Sequence, residues 1–238
     1  MFRKIICFAF LFVNLWAFDF KPIYSKVYNI DGKFIYIQDN PQIQVGASAV
    51  VMQKIKNANS IISRASVVQK SQGLVKLELK PFTMLEQKAL PVLDTKVQKG
   101  DEVIVNFLYD RALLIAPNEQ TYQLVTQNFN ELYFVHPDIL GAYMIREFKL
   151  SPKKKDFNTF CSNNAVGVVG FVLEDRVYFV DCADFTLLFE KTFDGLVSKP
   201  QTPFYSHINE YKKNFFNFFE WRVKDYYIYY KKMIGLGQ

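Results

Sequence analysis

Between Ile23 and Ile115 apolar and polar residues alternate with period two, and turn signals interrupt the alternation at short intervals. A run of that kind cannot bury a helical stripe; it can only be buried as strands with one face inward. Val27 to Ile30, then Asp31-Gly32, then Phe34 to Ile37 reads as a hairpin, because Asp-Gly supplies the positive-φ positions a tight turn requires. Further strands are expected at Ala47 to Lys54, Ser60 to Gln69, Gly73 to Leu79, Glu102 to Leu108 and Ala112 to Ala116. Strand edges must be covered or closed, so the expectation for residues 18–116 is a small β-barrel, closed or half-closed. The stretch from Met84 to Ala89, between Pro81 and Pro91, is expected to lie across its mouth.

At Ala116-Pro117-Asn118 the period changes to that of helices. Tyr122, Val125 and Phe129 share one helical face. Leu132 to Val135 reads as a strand, and Pro137-Asp138 opens a second helix with Ile139, Tyr143, Met144 and Phe148 on its apolar side. Ser151-Pro152 is expected to start a third helix, with Ser151 as its N-cap. Strands from Val166 to Leu173, Val177 to Asp181 and Phe185 to Lys191 complete a small α+β domain over residues 117–200. From Ser206 to Ile234 helical character returns, and nine of the sixteen residues from Phe215 to Tyr230 are aromatic. This C-terminal segment, 201–238, is read as an aromatic amphipathic helix. It either packs on its own domain, presents Phe215, Phe219, Tyr226 and Tyr230 to a partner, or lies on a membrane surface. The fold class is therefore α+β: a β-barrel, a small α+β domain and a terminal helix.

Residues 1–17 carry Arg3 and Lys4 followed by the apolar run Ile5 to Ala17. That pattern is a signal peptide, shorter than the ~20 apolar residues a spanning helix needs, and it predicts an exported protein of the periplasm or the cell surface. An uncleaved anchor is the alternative. Cys7 would leave with the leader, and the pair Cys161 and Cys182 in an oxidising compartment is expected to form a disulfide. The loop closed is worth roughly 3 kcal/mol in the loop-entropy picture.

The search for chemistry excludes more than it finds. Cofactors are not expected: there is no phosphate-cradling glycine motif, and the two histidines, His136 and His207, lie in no metal-ligand spacing. Asp138, two residues after His136, is explained by the dipole of the helix it opens. The carboxylates Glu174-Asp175 and Asp181-Asp184 lack a calcium-loop pattern. A net charge of +6, or +4 once Arg3 and Lys4 are removed, is too small to argue nucleic-acid binding. Lys153-Lys154-Lys155 is the one run of three like charges, either a solvated first turn or an anion-binding patch.

Several stretches together resemble the N-terminal domain of the bacterial plasminogen-binding protein family PgbA. They are Phe18 to Pro22, Val45-Gly46-Ala47-Ser48, Arg64-Ala65, the run from Gly100 through Tyr109-Asp110-Arg111 to Asn118, His136-Pro137-Asp138, Tyr178 to Cys182, and Tyr229 to Leu236. The resemblance implies an exported, non-enzymatic protein that captures plasminogen. Kringle modules hold a lysine-like zwitterion. Larger members carry a lysine-rich tail, whereas this sequence ends at Gln238, so the bait is expected at Lys231 and Lys232 or at Lys153, Lys154 and Lys155. The rival expectation is a periplasmic scaffold whose partner is a neighbour in an envelope assembly such as the flagellar motor.

Overall fold

The computed structural model describes residues 18–84, 95–194, 203–208 and 223–237. Residues 1–17, most of the Met84 to Ala89 stretch, and Phe215 and Phe219 lie outside these residues.

Strands β1 (Ile23–Lys26), β2 (Asn29–Asp31), β3 (Phe34–Gln38), β4 (Ser48–Ile55), β5 (Ala58–Ser71), β6 (Leu74–Lys80) and β7 (Glu102–Val105) form one antiparallel sheet in the order β1-β7-β4-β5-β6-β3-β2. The β2–β3 hairpin turns at Gly32-Lys33, where Gly32 takes a φ of 57°, in the left-handed region. The sheet curls into a half-barrel with β1 and β2 as its edges, the half-closed of the two expected forms. What covers its inner face is a second sheet.

That second sheet is built from β8 (Arg111–Ile115), β9 (Tyr133–Val135), β10 (Val168–Leu173), β11 (Arg176–Asp181) and β12 (Leu187–Thr192) in the order β12-β11-β10-β8-β9. Strand β8, which alternation alone groups with the preceding run, instead pairs in parallel with β9 and β10 near the middle of this sheet. The reason lies in the turn before it: the chain reverses at Asn106 to Asp110, with Asn106 and Leu108 both at positive φ, and leaves the first sheet there.

The alternation of β8 and β10 now has a clear use. Ala112, Leu114, Val168 and Val172 face the first sheet and join a core with Val51, Leu77, Val105 and Phe179. Helix α1 (Glu119–Asn128), capped by Asn118, adds Val125 to that core, and Phe129 at its C-cap joins it. Leu113, Ile115, Val169 and Phe171 face the other way, toward α2 (Pro137–Arg146), α3 (Lys154–Asn164) and α4 (Tyr226–Met233). Strand β10 is consequently buried along its whole length, as a strand covered on both faces must be. The result is three layers: sheet, sheet, helices.

Some helix expectations shift. Helix α2 buries Leu140, Gly141 and Met144, leaving Ile139 and Phe148 exposed. Helix α3 starts at Lys154, not at Ser151-Pro152, because Asp156 at its third position accepts from the Lys153 backbone N–H at 2.8 Å. Ser151, freed from capping, bonds Tyr226 instead. The helix expected over Ser206 to Ile234 is shorter where it is described: Pro203 to Ile208 is not helical, and α4 begins at Tyr226 behind its N-cap Asp225. No helix among the described residues is long and apolar enough to cross a membrane.

Cys161 of α3 and Cys182 after β11 form a disulfide with a Cα–Cα distance of 6.4 Å, pinning the helix layer to the sheet. Beside it, Gly167 passes directly under the reversing turn. A Cβ there would stand 2.3 Å from the Leu108 carbonyl oxygen, a backbone atom that cannot step aside. Gly167→Ala should therefore destabilise the fold by roughly 2–4 kcal/mol, whereas Gly32→Ala, where only the positive φ is offended, should cost about 1 kcal/mol. Urea unfolding of the two variants checks the ranking; equal midpoints would contradict it.

Candidate functional site

Two polar clusters are built where the layers meet. The first is the joint between the sheets. Tyr109, fully buried in the reversing turn, accepts a hydrogen bond from the Ser48 backbone N–H at 2.8 Å and donates one to Asp181 Oδ2 at 2.8 Å. Ser48 begins β4 in the first sheet and Asp181 ends β11 in the second, so one phenol spans both. Asp181 Oδ1 accepts from the backbone N–H groups of Ala183 and Asp184, at 3.0 and 2.8 Å. Arg64 of β5 donates to Ser48 Oγ at 2.8 Å and to Asp184 Oδ2 at 3.0 Å, and stands 3.5 Å from Asp181. Ser66 and Lys80 complete the ring around Asp184, at 2.6 and 3.1 Å.

The electrostatics follow from burial and partners. Burial raises the Asp181 carboxyl above the usual carboxylate range, against the pull of its hydrogen bonds and of Arg64. Burial and the neighbouring Asp181 hold the Tyr109 proton on well above the ordinary phenol range. Asp184 goes the other way: burial would raise it, but Ser66 and Arg64 outweigh that and bring it down to about 2. Two cations face two carboxylates here. A cavity of about 230 Å³ opens beside the joint, lined by Ser48, Arg64, Asp181, Asn158, Ser162 and the disulfide. It is smaller than the ~300–1,000 Å³ usual for small-molecule sites, and the Asp181 oxygens on its wall are already engaged. The arrangement holds the two sheets in register.

The second cluster joins α2 to the segment Pro203–Ile208. His136, the N-cap of α2, accepts from the Asp138 backbone N–H through Nδ1 at 3.2 Å. Asp138 Oδ1 accepts from Ser206 Oγ and from the His207 backbone N–H, both at 2.7 Å, and Oδ2 lies 3.0 Å from His207 Nδ1. Burial pushes the Asp138 carboxyl up, yet these bonds prevail and hold it below its ordinary value. Tyr205 Oη meets His207 Nε2 at 2.8 Å, and the two imidazoles stack 5.3 Å apart and 7° from parallel. Gly141, in the interior of α2, makes this possible: a Cβ there would stand 3.0 Å from Ser206 Oγ. The dipole reading of Asp138 explains its place but not its partners, which come from 68 and 69 residues away.

The residues singled out from sequence fall into three groups. Lys153, Lys154, Lys155 and Lys232 are exposed, whereas Lys231 is half-buried and its Nζ donates to Glu174 at 2.8 Å. Asp156, next to the lysine run, is buried and paired with Lys149, so the run offers ammonium groups without an adjacent free carboxylate. Tyr230 belongs to the core: its ring packs on Phe171 and its hydroxyl donates to the Pro203 carbonyl at 2.9 Å. Tyr226 and Tyr229 meet Ser151 Oγ and the Pro152 carbonyl, at 2.9 and 3.0 Å. The sequence reading missed Arg64, Tyr109, Asp181 and Asp184 as a unit. A signal was present, because the stretches around Ser48, Arg64, Tyr109 and Asp181 carry the family resemblance, but nothing in the spacing said that they meet.

Tyr109→Phe leaves a buried N–H and a buried carboxylate short of a partner and should cost roughly 2–4 kcal/mol by denaturant unfolding. The acid limb of the stability profile tests Asp184. Its folded pKa lies below the ordinary 3.8, so its contribution is full above pH 4 and is lost as pH falls toward 2. Asp181, raised on folding, contributes with the opposite sign. Asp184→Asn should be less stable than the parent at pH 6 by about 1–2 kcal/mol, its exposure discounted, with the two curves converging near pH 2. Parallel curves would contradict the assignment.

Comparison with known proteins adds the family. The family model described as plasminogen-binding protein pgbA N-terminal matches residues 22–234. The plasminogen-binding protein PgbA of Helicobacter pylori strain ATCC 700392 / 26695 is 24% identical over 195 residues, covering 81% of this chain and 42% of its own length. That of strain J99 / ATCC 700824 is likewise 24% identical, with 81% and 43% covered. The chain thus spans less than half the length of these relatives. With almost all of its described residues inside the match, this chain belongs to the PgbA N-terminal family.

Proposed function

We propose that this chain is an exported binding protein that captures plasminogen and transforms no substrate. The observation that carries the reading is the family match, whose curated relatives are named for plasminogen binding. The leader-like residues 1–17 support export.

The geometry supports a location for the contact. Tyr226 and Tyr229 seat α4 on Ser151 and Pro152, the two residues just before the exposed lysine run. The lysines at the start of α3 and at the end of α4 therefore belong to neighbouring elements of the outer, helical layer. A kringle pocket holds an ammonium and a carboxylate together. Lys231 with Glu174 offers both, already paired with one another, and Lys153, Lys154, Lys155 and Lys232 offer solvated cations that need little from the fold to be captured.

Immobilised chain should retain plasminogen at physiological salt and release it to a lysine analogue such as ε-aminocaproate. Replacing Lys153, Lys154 and Lys155 together by Ala, or Lys231 and Lys232 together, should each weaken retention roughly 10-fold or more. Retention unaffected by the analogue would remove the kringle mechanism, and no retention at all would remove plasminogen as the ligand of this domain.

A further inference from the structure

We infer that His136, Asp138 and His207 form a binding site for a divalent first-row transition ion of the zinc type, tying the Pro203–Ile208 segment to the start of α2. The inference is independent of plasminogen binding. Among the described residues this is the group of three metal-ligating side chains whose ligand atoms all fall within 4.8 Å of one another.

Three features point to a cation between them. The first is spacing. Asp138 Oδ2 lies 3.0 Å from His207 Nδ1 and 3.3 Å from His136 Nδ1. Two ligands bonded at about 2.0–2.1 Å to one ion, at tetrahedral or octahedral angles, stand about 3.0–3.4 Å apart. The two separations from Asp138 already match, while the group as a whole spans up to 4.8 Å, so the two imidazoles draw together on binding. The second is charge. The Asp138 carboxylate, which only accepts, stands between two imidazole nitrogens, so its Oδ2 draws a positive centre. The His136 Nδ1 lone pair that would join it is the one now accepting the Asp138 N–H, and binding exchanges that cap for the ion. The third is the outer shell. Asp138 Oδ1 is held by Ser206 Oγ and the His207 N–H, leaving Oδ2 to ligate, and Tyr205 Oη orients the His207 ring and can accept from an Nε2–H, the tautomer that frees Nδ1.

Two imidazoles and one carboxylate suit Zn²⁺, Ni²⁺ or Cu²⁺ better than Ca²⁺ or Mg²⁺, which take oxygen ligands. The His207 side chain is 61% exposed, so water can reach the remaining coordination positions. An ion here would link residues 69 apart in sequence and would stabilise the folded chain by mass action, since the ligands are scattered in the unfolded one.

The test uses untagged full-length protein, stripped of metal with a chelator and then titrated with ZnCl₂. Equilibrium dialysis should show about one ion bound per chain, and the melting temperature should rise with added Zn²⁺. His207→Ala and Asp138→Asn should each weaken binding roughly 100-fold or more and abolish the shift. Should a variant fail to fold, Cu²⁺ loaded into the parent protein decides: its paramagnetic resonance spectrum should show coupling to two imidazole nitrogens. Absence of a bound ion at 100-fold molar excess, binding that survives loss of His207, or a copper spectrum without imidazole coupling would each overturn the site.

Discussion

The hydroxyl of Tyr109 is the contact on which the two-sheet arrangement depends. It sits with no exposure between a backbone donor of the first sheet and a carboxylate of the second, and it can serve both because a phenol donates and accepts at once. Around it the cost of burying Asp181 is offset by two backbone N–H groups and by Arg64, which reaches across from β5. Each partner would be expensive to leave alone in that environment, and the network is therefore kept whole or lost together. The disulfide and Gly167 lie against the same joint. Sheet, turn and helix layer are thus fastened within one small region.

The outer layer works differently. Helices α2, α3 and α4 cover the far face of the second sheet through Leu140, Met144, Phe157, Phe160, Tyr230 and Met233, and they spend their aromatic residues on docking. What they leave in solvent is mostly polar and charged, with Ile139 and Ile228 as large apolar exceptions. The lysines at the start of α3 and at the end of α4 stand on a surface whose position is set by tyrosine bonds to Ser151 and Pro152, and the histidine pair fastens the segment that runs past α2. For the proposed capture by contact, this arrangement supplies a packed interior with cations held outward on elements docked to it.

Much of the fold was legible in the residues alone. Alternation located the strands because each buries one face, Asp31-Gly32 marked the first hairpin, Asn118 and Pro137 marked helix starts, and the cysteine pair predicted its own bond. Which of the closed and half-closed forms the barrel takes was not legible. Alternation records that a face is buried, not what buries it, and the half-barrel is covered by a second sheet to which its own last expected strand, β8, had been lost. The start of α3 was misplaced because Ser151-Pro152 is a good cap in isolation, while in the folded chain Asp156 takes the Lys153 N–H and Tyr226 takes the Ser151 hydroxyl.

The candidate sites divide along the same line. Sequence by itself determined the family, most of the strands and helices (β1 and the starts of α3 and α4 apart), the disulfide partners and the exposed lysine run, because each is a local property of composition or spacing. Only the tertiary structure decided that Ser48, Arg64, Tyr109 and Asp181 share one joint, that Tyr230 is core, and that His136 and His207 stack on either side of a common carboxylate. Those are meetings between residues tens of positions apart, and they are set by how two sheets and a helix layer pack, a global balance of buried area and satisfied polar groups that no short stretch of the chain encodes.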